Sequence, residues 1–193
     1  IKHVYIRRLT TDMNDMVKKN ISVEYYDLTK EQTKEYNRLW KDYQEAQEKE
    51  GNDNSENYRQ LVEGMLVRQF LACEMVNHTI DKIDQLLEMD EKVVVITTFQ
   101  EEMDKFKEYY KSKCVVYNGK MTTKAKDKAQ DEFLNNPNVK IIVVNVLAMG
   151  VGLNLPNSRF IIFNSYDWVA ANNIQAESRI HRLTQTRDVL CVY

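Results

Sequence analysis

The chain has 193 residues, of which 43% are hydrophobic and 29% are charged, and its formal net charge is −2 at pH 7. This composition is ordinary for a folded globular protein and excludes an intrinsically disordered chain. The small net charge also excludes a protein that binds nucleic acid with its whole surface, so any such contact would be local.

The cysteine spacing and the lengths of the apolar runs argue against further kinds of protein. Cys73, Cys114 and Cys191 lack Cys-x-x-Cys spacing, which argues against a zinc site and predicts buried thiols in a reducing compartment. No apolar run approaches the roughly 20 residues of a membrane helix, and the first residues lack a signal-peptide layout. We therefore expect no membrane partner, and a cytoplasmic location in a bacterium or virus or a nuclear one in a eukaryote. Because the chain starts at Ile1 and ends in a strand-like run, we expect a piece of a longer protein.

The first half of the chain has helical periodicity. A strand is possible at residues 22–26, and Thr29 is a capping residue before a helix that carries an apolar stripe. Turn formers at 51–55 end that helix. A second helix is predicted over 57–77 and a third from there to Met89. We interpret residues 1–90 as an entry segment and helical attachment that packs without chemistry of its own.

The second half alternates short β-branched runs with amphipathic segments, which is the βαβ pattern of a parallel sheet. Continuous apolar runs such as VVVI fit strands covered on both faces. Ligands of such sheets bind at the carboxyl ends of the strands. We therefore predict an α/β domain over 91–193, with its chemistry just after the strands. The predicted strands are 93–99, 114–117, 139–144, 160–163 and 189–192, and the predicted helices are 101–111, 123–135 and 170–183.

The clearest chemical signal is a pair of arginines near the end of the chain. On a helix, Gln175, Arg179 and Arg182 would share one face at i, i+4 and i+7. Two guanidinium groups on one stripe repel each other unless an anion lies between them, and guanidinium bonds phosphate through two nitrogens. This pattern predicts an arginine finger for a γ-phosphate. The alternative is a pair of solvated charges partnered by Glu177 or Asp188.

Two further segments follow predicted strands. Gly150 and Gly152 would let the backbone approach a ribose or phosphate closely. A dinucleotide-binding loop is disfavoured because no third glycine opens a long helix and Asn164, not an acid, follows the next strand. After the strand at 114–117, the turn with Gly119 and Lys120 could hold a DNA phosphate, and an ordinary αL turn is equally compatible.

In this order the segments resemble the C-terminal lobe of the Swi/Snf-related ATPases of helicase superfamily two. The resemblance covers nearly the whole chain. The matching segments are residues 4–8 and 26–32 at the entry, 66–70 in the next helix, 93–99 (motif four), 145–155 (motif five), 167–168 beside it, and 175–185 (motif six). A divergent branch is indicated by Leu147 for an arginine, Met149 and Thr184 for glycines, and Val169–Ala170 for Asn-Pro.

The resemblance implies a RecA-like lobe that closes over ATP and Mg²⁺ held mainly by an N-terminal lobe of the same polypeptide. Arg179 and Arg182 would then be catalytic, and Gly150, Gly152 and Gln175 would contact ATP. The positions implied near duplex DNA are Thr98, Gly119, Lys120, Asn145 and Trp168. No metal ligand is implied in this chain, and the fragment itself would be monomeric.

An absence limits what this chain does alone. It contains no Gly-x-x-x-x-Gly-Lys-Ser/Thr loop, and no Asp-Glu pair follows a predicted strand to hold magnesium. We therefore expect an inactive isolated lobe of a DNA translocase. The competing hypotheses are a non-catalytic interaction module that kept the fold and a helicase that separates strands.

Overall fold

The computed structural model describes residues 16–48, 54–150 and 152–193. The predicted entry segment 4–8 and most of the turn at 51–55 lie outside the described residues. The described residues form six strands and five α-helices, with short 3₁₀ helices at Lys111–Lys113 and Val146–Gly150. The order is β1 (Lys19–Ser22), α1 (Lys30–Glu48), α2 (Asn54–Glu88), β2 (Val93–Thr97), α3 (Gln100–Tyr110), β3 (Cys114–Tyr117), α4 (Thr123–Asn135), β4 (Ile141–Asn145), β5 (Phe160–Phe163), α5 (Ala170–Glu177) and β6 (Val189–Val192).

The strands form one sheet in the order β1-β6-β5-β2-β4-β3, and every pairing is parallel. Both faces are covered, because Val94 and Ile96 of β2 belong to one core cluster and Val93 and Val95 to the other. This alternation explains why the strand reads as a continuous apolar run. The predicted RecA-like α/β fold is confirmed, with β2 ending at Thr97 and β4 running from Ile141 to Asn145.

The second half of α2 covers one face of the sheet. Val76, Ile80, Ile83 and Leu86 are buried in the cluster that contains Val93. The two helices predicted over 57–89 are therefore wrong, because the structure has one helix from Asn54 to Glu88. Residues 77–79 are weak helix formers without proline or glycine, and the burial of their neighbours outweighs that weakness.

The first half of α2 forms an antiparallel hairpin with α1. Leu39 and Ala46 of α1 are buried in the contact. Gly64 of α2 lies opposite Tyr43, where an added Cβ would stand 3.2 Å from the ring. The helix predicted after Thr29 is present as α1, although Trp40 of its apolar stripe stays 40% exposed between Tyr36 and Tyr43.

The N-terminal strand differs from its prediction at 22–26. The structure has β1 at Lys19–Ser22, where its residues pair in register with Val189 to Val192 of β6. Tyr25 is 90% exposed. Partner register, not β-propensity, therefore decides which of these residues join the sheet.

Within the described residues, no helix is both long enough and apolar enough to cross a membrane.

Candidate nucleotide and nucleic-acid interface

The residues predicted to contact DNA lie along one edge of the sheet. Thr98 follows β2, Gly119 and Lys120 follow β3, Asn145 ends β4, and Trp168 lies beyond β5. The strand order β5-β2-β4-β3 makes these loops neighbours. Parallel strands bring their carboxyl ends to one edge, as the sequence analysis assumed.

Thr98 and Asn145 contact each other. The Asn145 side-chain amide donates to the Thr98 carbonyl at 2.9 Å, and its oxygen accepts from Leu147 N at 3.1 Å. The Thr98 hydroxyl is buried without a hydrogen-bond partner among the described residues. Asn145 therefore fastens the loop after β2 to the start of the 3₁₀ helix after β4, and its amide is engaged within the chain.

A buried carboxylate that the sequence analysis missed organises the same edge. Glu102, at the third position of α3, has no exposed surface and accepts hydrogen bonds from Thr98 N and Phe99 N, both at 2.7 Å. It also accepts from Ser165 Oγ at 2.5 Å and from the Asn164 side-chain amide. Burial raises the pKa of Glu102, and these four bonds oppose the rise by favouring the charged form. The one available signal was an acid in the first turn of a helix.

Asn164 connects this carboxylate to α2. Its amide nitrogen also donates to the Ala72 carbonyl at 2.9 Å, and its oxygen accepts from Thr79 Oγ1 at 2.8 Å. Three elements, α2, α3 and the end of β5, thus meet at one fully bonded buried side chain. A network of this kind fixes geometry because leaving any of its members unbonded is costly.

Trp168 is 69% exposed, and one residue of α2, Arg68, contacts its ring. The guanidinium carbon of Arg68 lies 4.6 Å from the centre of the Trp168 ring and 5.8 Å from that of Phe99. Arg68 also donates to the Tyr166 carbonyl. The backbone of Asp167 is fastened by Asn173, whose side chain accepts from Asp167 N and donates to Asp167 O, both at 2.9 Å.

Gly119 and Lys120 lie in a turn between β3 and α4. Asn118 Oδ1 accepts from Lys120 N at 3.1 Å, and Thr122 caps α4 by accepting from Ala125 N at 3.3 Å. The φ angle of Gly119 is not positive, so the turn is not the αL turn that the sequence left open. Both residues are exposed, and an added Cβ at Gly119 would meet nothing within 4 Å.

The arginine pair is not on a continuous helix. The helix predicted over 170–183 ends at Glu177, so the prediction that Gln175, Arg179 and Arg182 share one helical face is wrong. From Ser178 onward the chain makes successive tight turns. The Arg179 carbonyl accepts from Leu155 N at 3.2 Å, and Ile180 is fully buried. These tertiary contacts outweigh helical periodicity.

The two arginines are nevertheless neighbours. The pKa of Arg179 is lowered mainly by burial and then by the positive charge of Arg182. Arg182 Nε donates to the Ser178 carbonyl at 3.1 Å. The carboxylate of Glu177 accepts from Lys19 and Tyr193, both at 2.5 Å, and that of Asp188 accepts from Lys18 N at 3.0 Å. Two like charges held together favour a bound anion.

The two predicted glycines precede Leu155, the residue that bonds to this turn. Gly150 ends the 3₁₀ helix after β4, and Gly152 is exposed with a φ of +77°. Leu153 and Leu155 are fully buried, and the latter makes the backbone bond to Arg179. Gln175 is exposed on α5. A backbone hydrogen bond thus joins the segment that follows Gly150 and Gly152 to the turn that carries Arg179 and Arg182.

No group of three or more His, Cys, Asp or Glu residues in the described part of the chain could hold a metal ion. The turn after α5 carries two guanidinium groups instead, those of Arg179 and Arg182. Such groups suit phosphate.

The family profile described as "Helicase conserved C-terminal domain" matches residues 78–184, more than half of the chain. The chain belongs to the helicase C-terminal domain family. An "Uncharacterized ATP-dependent helicase" of Mycoplasma pneumoniae is 27% identical to this helicase C-terminal domain over 110 residues, which cover 55% of the chain and 11% of the relative. A Drosophila melanogaster protein, "SWI/SNF-related matrix-associated actin-dependent regulator of chromatin subfamily A-like protein 1", is 26% identical over 111 residues, covering 56% and 15%.

Solved structures agree in fold. The "Sulfolobus solfataricus SWI2/SNF2 ATPase core domain" superposes with a TM-score of 0.74 at 22% identity, covering 95% of this chain and 41% of that one. The same core "in complex with dsDNA" gives a TM-score of 0.69 at 22% identity, covering 94% and 41%. The predicted resemblance to Swi/Snf-related C-terminal lobes is confirmed. The chain spans well under a fifth of the length of the curated relatives it matches.

Proposed function

We propose that this helicase C-terminal domain is the arginine-supplying lobe of an ATP-driven motor on duplex DNA. Arg179 and Arg182 would contact the phosphates of ATP held mainly by an N-terminal lobe of the same polypeptide. Gln175, Gly150 and Gly152 would border the nucleotide. The observation that carries the proposal is that Arg179 and Arg182 lie on one turn, whose Arg179 carbonyl accepts a hydrogen bond from Leu155 N, three residues after Gly152.

The described residues of this chain fit a phosphate, and they include no cluster of ligands for the metal that accompanies it. Guanidinium groups keep their charge and bond two phosphate oxygens, and such arginines raise phosphoryl-transfer rates by about 10³- to 10⁵-fold in other systems. Mg²⁺ neutralises charge on the β- and γ-phosphate oxygens when bound, and it prefers carboxylate ligands. The described residues offer no acidic cluster, so the N-terminal lobe would hold the metal.

The DNA would lie against the neighbouring loops of the same edge. Most of the contacts would be to the sugar-phosphate backbone of the DNA, which position a protein without reading the base sequence. The residues that would make them are Thr98, Gly119, Lys120, Asn145 and Trp168. The duplex-bound structure of a protein with this fold supports the choice of ligand. Closure and reopening over ATP would move the two lobes along the duplex without separating its strands.

The test is ATP hydrolysis by the polypeptide that joins this lobe to its N-terminal lobe, with and without duplex DNA. In Arg182→Ala we expect DNA-stimulated turnover to fall by at least about 10³-fold while circular dichroism stays unchanged. Arg38→Ala is the matched control, because Arg38 is 59% exposed on α1 and pairs only with Glu35 and Asp42 among its described ion pairs. It should hydrolyse ATP like the wild type.

Other outcomes identify the alternatives. Turnover that survives Arg182→Ala would reject the arginine assignment. A wild-type protein without turnover would favour the non-catalytic interaction module, and ATP-dependent unwinding of a forked duplex would favour a strand-separating helicase.

A further inference from the structure

The loop after β5, residues 164–169, carries Trp168 and is here called the Trp168 loop. Its base is fixed by Glu102, which accepts hydrogen bonds from Asn164 and Ser165. Its tip carries two exposed aromatic rings, Tyr166 at 59% and Trp168 at 69%. An exposed indole needs support from one side if it is to keep a single orientation in water.

Arg68 supplies that support. It reaches from the middle of α2, donates to the Tyr166 carbonyl, and places its guanidinium 4.6 Å from the centre of the Trp168 ring. The same guanidinium carbon lies 5.8 Å from the centre of the Phe99 ring. An arginine over an indole combines attraction to the ring with stacking of two planar groups.

The position of Arg68 argues against an ordinary surface charge. It is half-buried, and burial lowers its pKa although Asp167 lies near enough to oppose that effect. The Asp167 carboxylate accepts from Val169 N at 2.7 Å, inside the loop. Arg68 thus pays a desolvation cost in order to contact the loop backbone and the Trp168 ring.

We infer that Arg68 is a positioning residue for DNA binding, which holds the Trp168 ring in the orientation that meets the duplex. This inference rests on the proposed function, since it needs Trp168 at the DNA interface. It assigns α2 a part in the interface, whereas the sequence suggested a helix that packs without chemistry.

A positioning arginine and a phosphate-binding arginine differ in their salt dependence. Each phosphate contact adds about 0.9 to the slope of log affinity against log salt. Removing a direct contact lowers both affinity and slope. Removing a positioning residue lowers affinity and leaves the slope unchanged.

The first experiment reads the Trp168 ring directly. The chain has two tryptophans, so Trp40→Phe leaves Trp168 as the only indole. In that background, Arg68→Gln should increase quenching of Trp168 fluorescence by acrylamide, because the ring face covered by the guanidinium opens to solvent. Unchanged quenching would overturn the inference without reference to DNA.

The second experiment measures binding of a fluorescent duplex over a range of salt concentrations. Arg68→Gln should weaken binding by about 5- to 10-fold, in line with a partly desolvated cation–π contact, with the salt slope unchanged. Arg59→Gln is the matched control on the same helix, since Arg59 is 52% exposed and lies 4.0 Å from Glu63. A slope that falls by about 0.9 in Arg68→Gln would make Arg68 a phosphate ligand and overturn positioning.

The outcomes separate this inference from the proposed function. Failure of the wild type to bind duplex DNA would reject the DNA interface, whereas equal binding by wild type and Arg68→Gln would reject only the role of Arg68. Arg68→Lys keeps the charge and loses the planar fork, so it should give an intermediate affinity. The same quenching and slope readouts apply to it if the glutamine variant does not fold.

Discussion

At the residue scale, two glycines on the candidate edge differ in one physical property. Added Cβ atoms at Gly119 and Gly152 would both project into open space. Only Gly152 has a positive φ, +77°. Substitutions at the two positions therefore isolate the cost of backbone conformation from that of steric contact.

We predict that Gly152→Ala lowers the free energy of unfolding by about 1–2 kcal/mol, the cost of an L-residue in the left-handed region. Gly119→Ala is the matched control and should be neutral or stabilising by up to about 1 kcal/mol, because alanine restricts the unfolded chain more than glycine does. Urea denaturation of both variants measures the difference. Equal effects of the two substitutions would contradict a conformational requirement at Gly152.

The sequence predicted which loops lie next to each other, but it did not predict the helical residues that fix these loops in place. Thr98, Asn145 and Trp168 follow strands, so parallel topology alone brings them to one edge. Glu102 and Arg68 lie on helices, where the sequence analysis identified neither their partners nor their burial. The prediction that Arg179 and Arg182 share a helical face was wrong. Leu155 N donates to the Arg179 carbonyl in a turn, and periodicity does not encode such a long-range contact.

At the element scale, α2 is one helix with two environments. Its second half buries Val76, Ile83 and Leu86 against the sheet. In its first half Leu61 is 69% exposed and Met65 41% exposed, and the main neighbour is α1. The sequence has helical periodicity in both halves, and it cannot show which neighbour each half meets.

We predict a gradient of amide hydrogen exchange along α2. Peptides covering 76–88 should exchange nearly as slowly as β2 and β4, because opening them exposes the core. Peptides covering 59–66 should exchange faster and together with α1, since local opening there exposes less apolar surface. Exchange measured by mass spectrometry tests this, and uniform protection along the whole helix would contradict it.

The predicted bounds of the strands differ in accuracy. β3, β5 and β6 have the predicted bounds, and each pairs with a neighbour along its length. β1 was misplaced because it is an edge strand with an exposed, polar sequence, KNIS. Its register follows from β6, which lies about 170 residues away in the chain.

At the scale of the whole molecule, the division predicted at residue 90 stays a prediction, and the packing shows how to test it. Residues before 90 contribute β1 to the sheet and the second half of α2 to one of its faces. They also contribute Lys19, which bonds Glu177 beside the arginine turn. The sheet, its cover and the contacts of Glu177 thus depend on residues from both sides of the proposed boundary.

We predict that residues 91–193 alone do not fold cooperatively, whereas 67–193 do. Removing α2 uncovers the sheet face under Val76, Ile80, Ile83 and Leu86. Losing the burial of four such side chains costs about 6–12 kcal/mol, which is comparable to the roughly 5–15 kcal/mol that stabilises a typical domain. The 67–193 fragment keeps this cover and loses only α1, β1 and the first half of α2.

Thermal unfolding followed by circular dichroism, with 16–193 as the reference, measures whether each fragment unfolds cooperatively. A cooperative transition in 91–193 would show that the lobe is independent of α2 and that the boundary at residue 90 is a true domain boundary.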